Sequence, residues 1–219
     1  MKQVAIILFF CAMTCAGTQL KAQDDLSSWS SVLIHYKIDD TWDIRLRPIT
    51  RHRDNLGTYS DTSLDFILRH KTRLGLDASI LMRHFFIPND ADRQFLFFDF
   101  AKSVRLSEKF TLANTLRYHL ASNINDRIDP DFIRYQPKLI YQLKPQSKPY
   151  VMLDPFYRVT EPASLAGARY IVGYDQGLKN GLGFNFEYWY QKGYGDNPIR
   201  TSHFLILTLR KFLQAKPTT

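Results

Sequence analysis

Cysteine is nearly absent from this chain of 219 residues, which has only Cys11 and Cys15. Because both lie close to the N-terminus, the rest of the sequence has no thiol for a disulfide, a nucleophile or a metal site. The six histidines include no pair at HxH or HxxxH spacing, and a glycine-rich phosphate loop is also missing. Neither a metal site nor any cofactor is therefore predicted. No apolar run of about 18 residues follows the N-terminal segment, which argues against membrane-spanning helices.

The N-terminal segment has the features of an export signal. Lys2 supplies a positive charge, and an apolar stretch from Val4 to Ala16 is too short to span a bilayer comfortably. Cleavage is predicted after Ala22, with Ala16 as the alternative position. Residues 1–22 are therefore predicted to be a signal peptide. Residues 23–219 are predicted to be a single domain, because they contain no linker and no low-complexity stretch.

The rest of the sequence alternates between apolar and polar side chains. A period of two residues is typical of β-strands whose two faces meet different surroundings, and no segment keeps a helical period. In the clearest run one face carries Leu182, Phe184, Phe186, Tyr188 and Tyr190. Runs of this kind are predicted at Trp29–Ile38, Thr41–Arg51, Ser63–Lys71, Arg73–Phe85, Gln94–Arg105, Phe110–Ala121, Phe132–Leu143, Tyr150–Thr160, Ala168–Leu178, Leu182–Gln191 and Ser202–Phe212.

The connections between these runs alternate in length. Short ones such as Lys179–Gly181 alternate with longer ones such as His52–Thr62 and Ser122–Asp131. Outer-membrane barrels show this asymmetry, with tight periplasmic turns and longer outer loops. The pattern predicts an all-β fold, an up-and-down antiparallel transmembrane β-barrel of about ten to twelve strands. Since such barrels normally have an even number of strands, Trp29–Ile38 is predicted to be an extra strand or a segment inside the lumen.

Arginine and aspartate dominate the polar face of the strands. An ordinary solvated surface would carry more lysine and glutamate, whereas the planar guanidinium of arginine suits fixed pairing with carboxylates. We therefore predict that this face lines the lumen as interlocking ion pairs and that the apolar face contacts lipid. The predicted lumen-lining residues are Arg45, Arg47, Asp65, Arg69, Asp77, Arg83, Asp99, Arg105, Arg134, Lys138, Asp154, Arg158, Arg169, Asp175 and Glu187.

Two alternatives use the same residues differently. A soluble, lipocalin-like binding barrel in the periplasm would place the apolar face inside, but ten or so strands would then need a large apolar plug. An outer-membrane lipid-modifying hydrolase would use His119 and Ser122. Residues three apart on a strand point to opposite faces, however, and no acidic residue completes a triad. No catalytic residue is therefore predicted, and the chain is not expected to be an enzyme.

Several motifs follow one another in a recognisable order. Arg45-Leu46-Arg47 precedes Thr50-Arg51-His52-Arg53-Asp54-Asn55, and Phe132-Ile133-Arg134-Tyr135 precedes Asp154-Pro155-Phe156-Tyr157; Arg169-Tyr170 then leads to Phe186-Glu187-Tyr188-Trp189-Tyr190. In this order the chain resembles, over nearly all of residues 23–219, an uncharacterised family of Bacteroidota and relatives, domain of unknown function 2490 (DUF2490). The resemblance implies an outer-membrane β-barrel and carries over no activity, cofactor or catalytic residue.

The expected function is that of an outer-membrane barrel, either a narrow pore or a structural or accessory protein of the envelope. The net charge of +8 is explained by lysines in the loops and arginines inside the barrel. The more specific alternative is that the positive charges form a path for anions. The expected partners are outer-membrane lipid, the barrel-assembly machinery during insertion and an unidentified envelope protein. Nucleic acid is not an expected partner, because an exported chain does not meet it.

Overall fold

The described residues form a single closed barrel. The computed structural model describes residues 25–90, 92–121, 131–160, 163–194 and 201–214, so the predicted signal peptide (residues 1–22) lies outside them. The fold is all-β, as predicted, with eleven strands in an up-and-down arrangement. Among these residues there is no helix long and apolar enough to cross a bilayer.

Each predicted run becomes one strand. The strands are β1 (Asp25–Lys37), β2 (Trp42–Arg53), β3 (Thr58–Lys71), β4 (Asp77–Phe86), β5 (Arg93–Arg105), β6 (Phe110–Ala121), β7 (Phe132–Tyr141), β8 (Ser147–Arg158), β9 (Ser164–Gly177), β10 (Leu182–Gly193) and β11 (Thr201–Gln214). A 3₁₀ turn, Lys179–Gly181, joins β9 to β10. The predicted start of β4 at Arg73 is wrong, because Gly75 adopts a left-handed φ of 71° and its N–H bonds to the carbonyl of Thr72, which forms a turn.

The first strand closes the barrel. β1 is part of the wall and not a segment in the lumen: it pairs antiparallel with β2 and parallel with β11, from Asp25 opposite Ser202 to Lys37 opposite Gln214. The strand number, eleven, lies within the predicted ten to twelve but is odd, although such barrels normally have an even number, and the sheet is antiparallel as predicted except at this one parallel pair. The reason is geometric, since alternating strands of odd number leave the first and the last pointing in the same direction.

The two ends of the barrel differ in their connections. Tight turns follow β1, β3, β5, β7 and β9, and we call this side the short-turn end; the opposite side is the loop end. The predicted long connection His52–Thr62 is wrong, because β2 and β3 extend toward each other and leave only a turn at Asp54–Gly57. Asp54, Asn55 and Leu56 all adopt positive φ, which lets the chain reverse so sharply.

A carboxylate holds the first turn at the short-turn end. Asp39 Oδ1 accepts hydrogen bonds from the Thr41 N–H (2.6 Å), the Thr41 hydroxyl (2.8 Å) and the Trp42 N–H (2.7 Å). The hydroxyl of Thr41 and the two backbone N–H groups stabilise the ionised form and hold the pKa of Asp39 below its ordinary value. This Asx-type turn starts β2 in a fixed register with β1.

The wall separates two chemically different faces. Side chains from strands that are not neighbours meet on one face only: Tyr150 of β8 reaches Glu187 of β10, and Arg210 of β11 reaches Asp175 of β9. Such contacts require the concave side of a closed sheet, so this face is the lumen. The convex face carries exposed apolar side chains at alternate positions, among them Phe66, Met82, Phe100, Leu116, Val151 and Leu209.

Candidate functional site

Asp65 is the most deeply buried charge in the lumen, with none of its surface exposed. It lies directly opposite Arg47 of β2 on one side and Arg83 of β4 on the other. Arg47 donates from Nε and Nη2 to Oδ2 at 3.0 and 2.6 Å, and Arg83 donates from Nε to Oδ1 at 2.6 Å and from Nη2 to Oδ2 at 2.8 Å. Two guanidinium groups thus share one carboxylate, and the three side chains together carry a net positive charge.

Two further arginine–aspartate pairs continue this arrangement around the wall. Arg117 of β6 donates from Nε and Nη2 to the two oxygens of Asp99 on β5, both at 2.7 Å. Arg134 of β7 binds Asp154 of β8 through Nε (2.9 Å) and Nη2, and Arg169 of β9 approaches the same carboxylate at 3.8 Å. Arg117 and Arg134 are direct cross-strand partners, an unfavourable like-charge pair that becomes tolerable because each arginine binds its own carboxylate.

Aromatic rings lie between these guanidinium groups. Arg51 stands 4.8 Å from the ring centre of Trp29 and 4.7 Å from that of Phe85. Arg83 stands 5.8 Å from Phe85 and 5.5 Å from Phe97, and Arg117 stands 5.1 Å from Phe97. These distances are those of cation–π contacts. The three arginines and three aromatic rings form a continuous path of alternating cations and rings from β1 to β6.

A second path of the same kind runs through the other half of the barrel, beginning at Arg134, the cross-strand partner of Arg117. Arg134 stands 5.4 Å from Phe156, and Arg169 stands 4.9 Å from Phe156 and 5.0 Å from Trp189. Trp189 meets Trp29 of β1 edge-on at 5.0 Å, which closes the circuit. We call this set of five arginines and five aromatic residues the arginine–aromatic ring: Arg51, Arg83, Arg117, Arg134, Arg169, Trp29, Phe85, Phe97, Phe156 and Trp189.

A hydrogen-bonded cluster lies on the short-turn side of the ring. The Tyr150 hydroxyl donates to Glu187 Oε1 and accepts a 2.7 Å hydrogen bond from Asn185 Nδ2; Trp189 Nε1 donates to Glu187 Oε2 at 2.7 Å. Tyr150 crosses β9 directly over its register partner Gly173, where an added Cβ would lie 2.2 Å from Tyr150 Cζ. Glycine at this position is therefore what lets the tyrosine reach β10.

The two lumen cations beside the ring, Lys138 and Arg158, have no carboxylate within 4.0 Å among the described residues. Lys138 Nζ lies 3.4 Å from the ring centre of Tyr150, on the short-turn side of the ring. Arg158 lies on the loop-end side of Phe156, and its buried Nε has no hydrogen-bond partner in the part of the chain that the structure describes. Uncompensated positive charge therefore flanks the arginine–aromatic ring on both sides.

The predicted lumen residues fall into four groups. Arg47, Asp65, Arg83, Asp99, Arg134, Asp154 and Arg169 make the central ion pairs, and Asp175 pairs with Arg210 at 2.5 Å. Arg45 and Arg69 bind Asp43 toward the short-turn end, where Arg69 also approaches Asp77 at 3.4 Å. Lys138, Arg158 and Glu187 line the lumen without the ion pairs expected of them, and Glu187 is held by Tyr150 and Trp189 instead. Arg105 lies exposed at the rim, where it donates to the carbonyls of Ser107 and Glu108.

Several central residues are missing from the prediction. Arg51, which donates to Asp61 at 2.5 Å and to Ser63 at 3.0 Å, lies in phase with Arg45 and Arg47, so the period of two residues already contained its signal. Arg117 lies two residues before His119 on β6 and therefore faces the same side of the sheet, so the period of two residues contained its signal as well. Arg210 gave no such signal, because its strand is apolar in both phases.

His119, the residue of the hydrolase alternative, lies in an aromatic stack. Its ring is 4.4 Å from Phe97 and 5.8 Å from Phe132, nearly parallel to both. Ser122, its proposed partner, lies outside the described residues. No group of three metal-ligating side chains occurs in the described ranges. The geometry therefore gives His119 a packing role, and the absence of catalysis stays a prediction.

Comparisons with protein-family models, with curated proteins and with solved structures found no match to this chain. The resemblance to the family of domain of unknown function 2490 therefore stays a prediction.

Proposed function

We propose that the protein is an outer-membrane β-barrel that forms a narrow, anion-preferring channel. The observation that carries this proposal is the arginine–aromatic ring, which encircles the lumen while the opposite face of the same strands is apolar. A soluble lipocalin-like barrel needs the reverse arrangement, with the apolar face inside. The proposal has two parts, membrane residence and anion preference, and each has its own support and its own test.

The outer face supports membrane residence. On β5 its apolar side chains extend from Leu96 to Leu106 and are interrupted only at Lys102. Ten residues at about 3.3 Å each, tilted by about 40°, cover roughly 25 Å along the barrel axis, the height of the apolar band of outer-membrane barrels. Exposed aromatic side chains lie toward both edges, with Tyr36 and Trp42 at the short-turn end and Tyr59 and Tyr157 at the loop end. Tyrosine and tryptophan favour these interfacial positions.

The charge of the lumen supports anion preference. Arg47 and the five arginines of the ring give six guanidinium groups, and the carboxylates that they bind are the four of Asp61, Asp65, Asp99 and Asp154. These groups therefore have an excess of two positive charges; Lys138 and Arg158 add two more, and the Glu187 carboxylate beside Trp189 removes one, which leaves an excess of three. A low-dielectric wall around such charges concentrates anions.

The burial of the lumen supports a narrow path. Leu81 and Ile171 are 2% exposed and Phe97 and Tyr150 4%, so these side chains fill much of the interior. The guanidinium side chains of Arg83, Arg117 and Arg169 stay 14–19% exposed, and water therefore reaches them. A lumen filled to this extent is expected to pass small hydrated anions rather than large solutes.

Membrane residence predicts behaviour on gels and in cell fractions. The protein should be found in the outer-membrane fraction, because its convex face needs hydrocarbon around it. The unheated protein should migrate differently from the heated one in detergent gels, as closed barrels do, and this mobility difference is the measurement. Recovery of the folded chain as a monomer in detergent-free buffer would refute the membrane assignment.

Anion preference predicts a measurable shift in reversal potential. In planar bilayers under a salt gradient, the wild type should pass anions in preference to cations. Replacing both uncompensated cations, by K138Q with R158Q, should lower the anion-to-cation permeability ratio about three- to tenfold, because each removes a charge near the path. R53Q is the matched control, since Arg53 is exposed at the loop end beside Asp54. An unchanged ratio in the double variant would contradict the anion path, and absence of any conductance would leave a structural role.

A further inference from the structure

A row of three polar side chains interrupts the apolar outer wall. Lys102 of β5 and Asn114 of β6 are direct cross-strand partners, and the Tyr135 hydroxyl of β7 donates a 2.7 Å hydrogen bond to Asn114 Oδ1. The neighbouring register pair, Ala101 opposite Thr115, faces the lumen, so the row faces away from it. Three adjacent strands thus present a cation, an amide and a phenol to the membrane side of the barrel.

The row lies in strongly apolar surroundings. Phe100 and Leu116 border it toward the loop end, and Val104 borders it toward the short-turn end; all three are exposed. Lys102 is itself exposed and has no carboxylate within 4.0 Å among the described residues. A lone ammonium group facing lipid is unfavourable unless it reaches water or an anion.

The position of Lys102 puts one anion within its reach. Its neighbour Ala101 is the register partner of Asp77, the first residue of β4, so Lys102 lies just inside the short-turn edge of the sheet, at the level where the β3–β4 turn begins. A flexible lysine stem extends toward the interface from such a depth. The group found there is the phosphate of a membrane lipid.

We propose that Lys102 and Asn114 bind the phosphate of a phospholipid in the leaflet at the short-turn end. By donating to Asn114 Oδ1, Tyr135 leaves the two N–H donors of the amide available for a phosphate oxygen beside the ammonium group. A second copy of the chain fits this surface less well, because a two-fold contact would bring two uncompensated lysines together in an apolar interface. The proposal rests on the membrane residence proposed above.

The test is native mass spectrometry of the delipidated full chain in detergent, titrated with dioleoylphosphatidylglycerol. The wild type should retain one lipid, and K102M should bind it about five- to tenfold more weakly, since a lysine near an anionic headgroup and a charged hydrogen bond both contribute. N114L removes the amide donors without changing charge and should weaken binding as well. K109M is the matched control, because Lys109 lies in the turn of the same hairpin and is exposed. Inorganic phosphate, titrated separately, distinguishes a lipid site from a free-anion site.

The outcomes separate this proposal from the one that it rests on. Equal lipid retention by the wild type and K102M, or tighter binding of inorganic phosphate than of the lipid, would overturn the lipid site and leave membrane residence intact. A stable dimer that K102M abolishes would assign the row to contact between copies instead. A wild-type protein that stays folded and monomeric without detergent would overturn both proposals.

Discussion

Replacing Asp65 with alanine should destabilise the folded barrel by about 3–5 kcal/mol, the usual effect of removing one partner from a buried ion pair. The substitution leaves Arg47 and Arg83 facing each other with no carboxylate between them, at a position with no exposed surface. Their repulsion adds to the loss of four charged hydrogen bonds. We expect the unfolding midpoint in urea, followed by heat-modifiable gel mobility, to fall sharply.

The matched control is Asp77→Ala on the next strand. Its carboxylate is 36% exposed and meets only Arg69 at 3.4 Å, so the loss should be below about 1 kcal/mol. The triple substitution D65L, R47M and R83M should recover much of the stability lost in D65A, because it leaves no buried charge unpaired. A D65A variant as stable as D77A would show that water in the lumen solvates the two arginines fully.

Replacing Gly173 with alanine should destabilise the barrel by about 2–4 kcal/mol, through overpacking and the loss of hydrogen bonds to a charged group. The new Cβ would lie 2.2 Å from Tyr150 Cζ, so the ring has to leave its place over β9. When the ring moves, the Tyr150 hydroxyl loses its hydrogen bonds with Glu187 and Asn185. Unfolding in urea measures the loss, and Tyr150 fluorescence energy transfer to Trp189 should report the displacement.

A double-substitution cycle separates this steric effect from a change in the strand itself. With Tyr150 truncated to alanine, the space over Gly173 is empty, and G173A should then cost less than about 1 kcal/mol. Gly177→Ala is the control on the same strand, since its added Cβ meets only ordinary contacts, starting at 3.4 Å from Gln146. Additive effects of G173A and Y150A would contradict the proposed close packing of this pair.

The positions of the strands and the two faces were predictable, because side chains alternate along a barrel strand with a period of two residues, whereas the odd strand number was not. Every run from Trp29–Ile38 onward became a strand, and the charged phase contained Arg47, Asp65, Arg83, Asp99 and Asp154. The physical reason is that a sheet between two different surroundings has to alternate at every residue.

Partner identity was less predictable, because it depends on register and curvature rather than on phase. Glu187 reaches Tyr150 two strands away only because β9 carries glycine at position 173. Lys138 faces the phenol ring of Tyr150 rather than a carboxylate, and this contact also depends on register and curvature. Arg51 is the direct cross-strand partner of Trp29, but it also contacts Phe85 two strands away, and no pattern within one hairpin encodes that second contact. The pairing of β1 with β11, which closes the barrel, was likewise not predictable, since no turn joins these two strands.

The parallel seam has a consequence for how the barrel assembles. Asp25 begins β1 at the loop end, whereas Gln214 ends β11 at the short-turn end, so the two termini of the sheet are on opposite sides. If the protein is an outer-membrane barrel with its short turns in the periplasm, as such barrels usually are, the start of β1 has to cross the bilayer during insertion. In a barrel with an even number of alternating strands, both ends of the sheet lie on the same side, so neither end has to cross the bilayer. The ladder that closes the barrel joins β1 to β11, the first and last strands in the sequence, and its parallel direction places Asp25 and Gln214 at opposite rims.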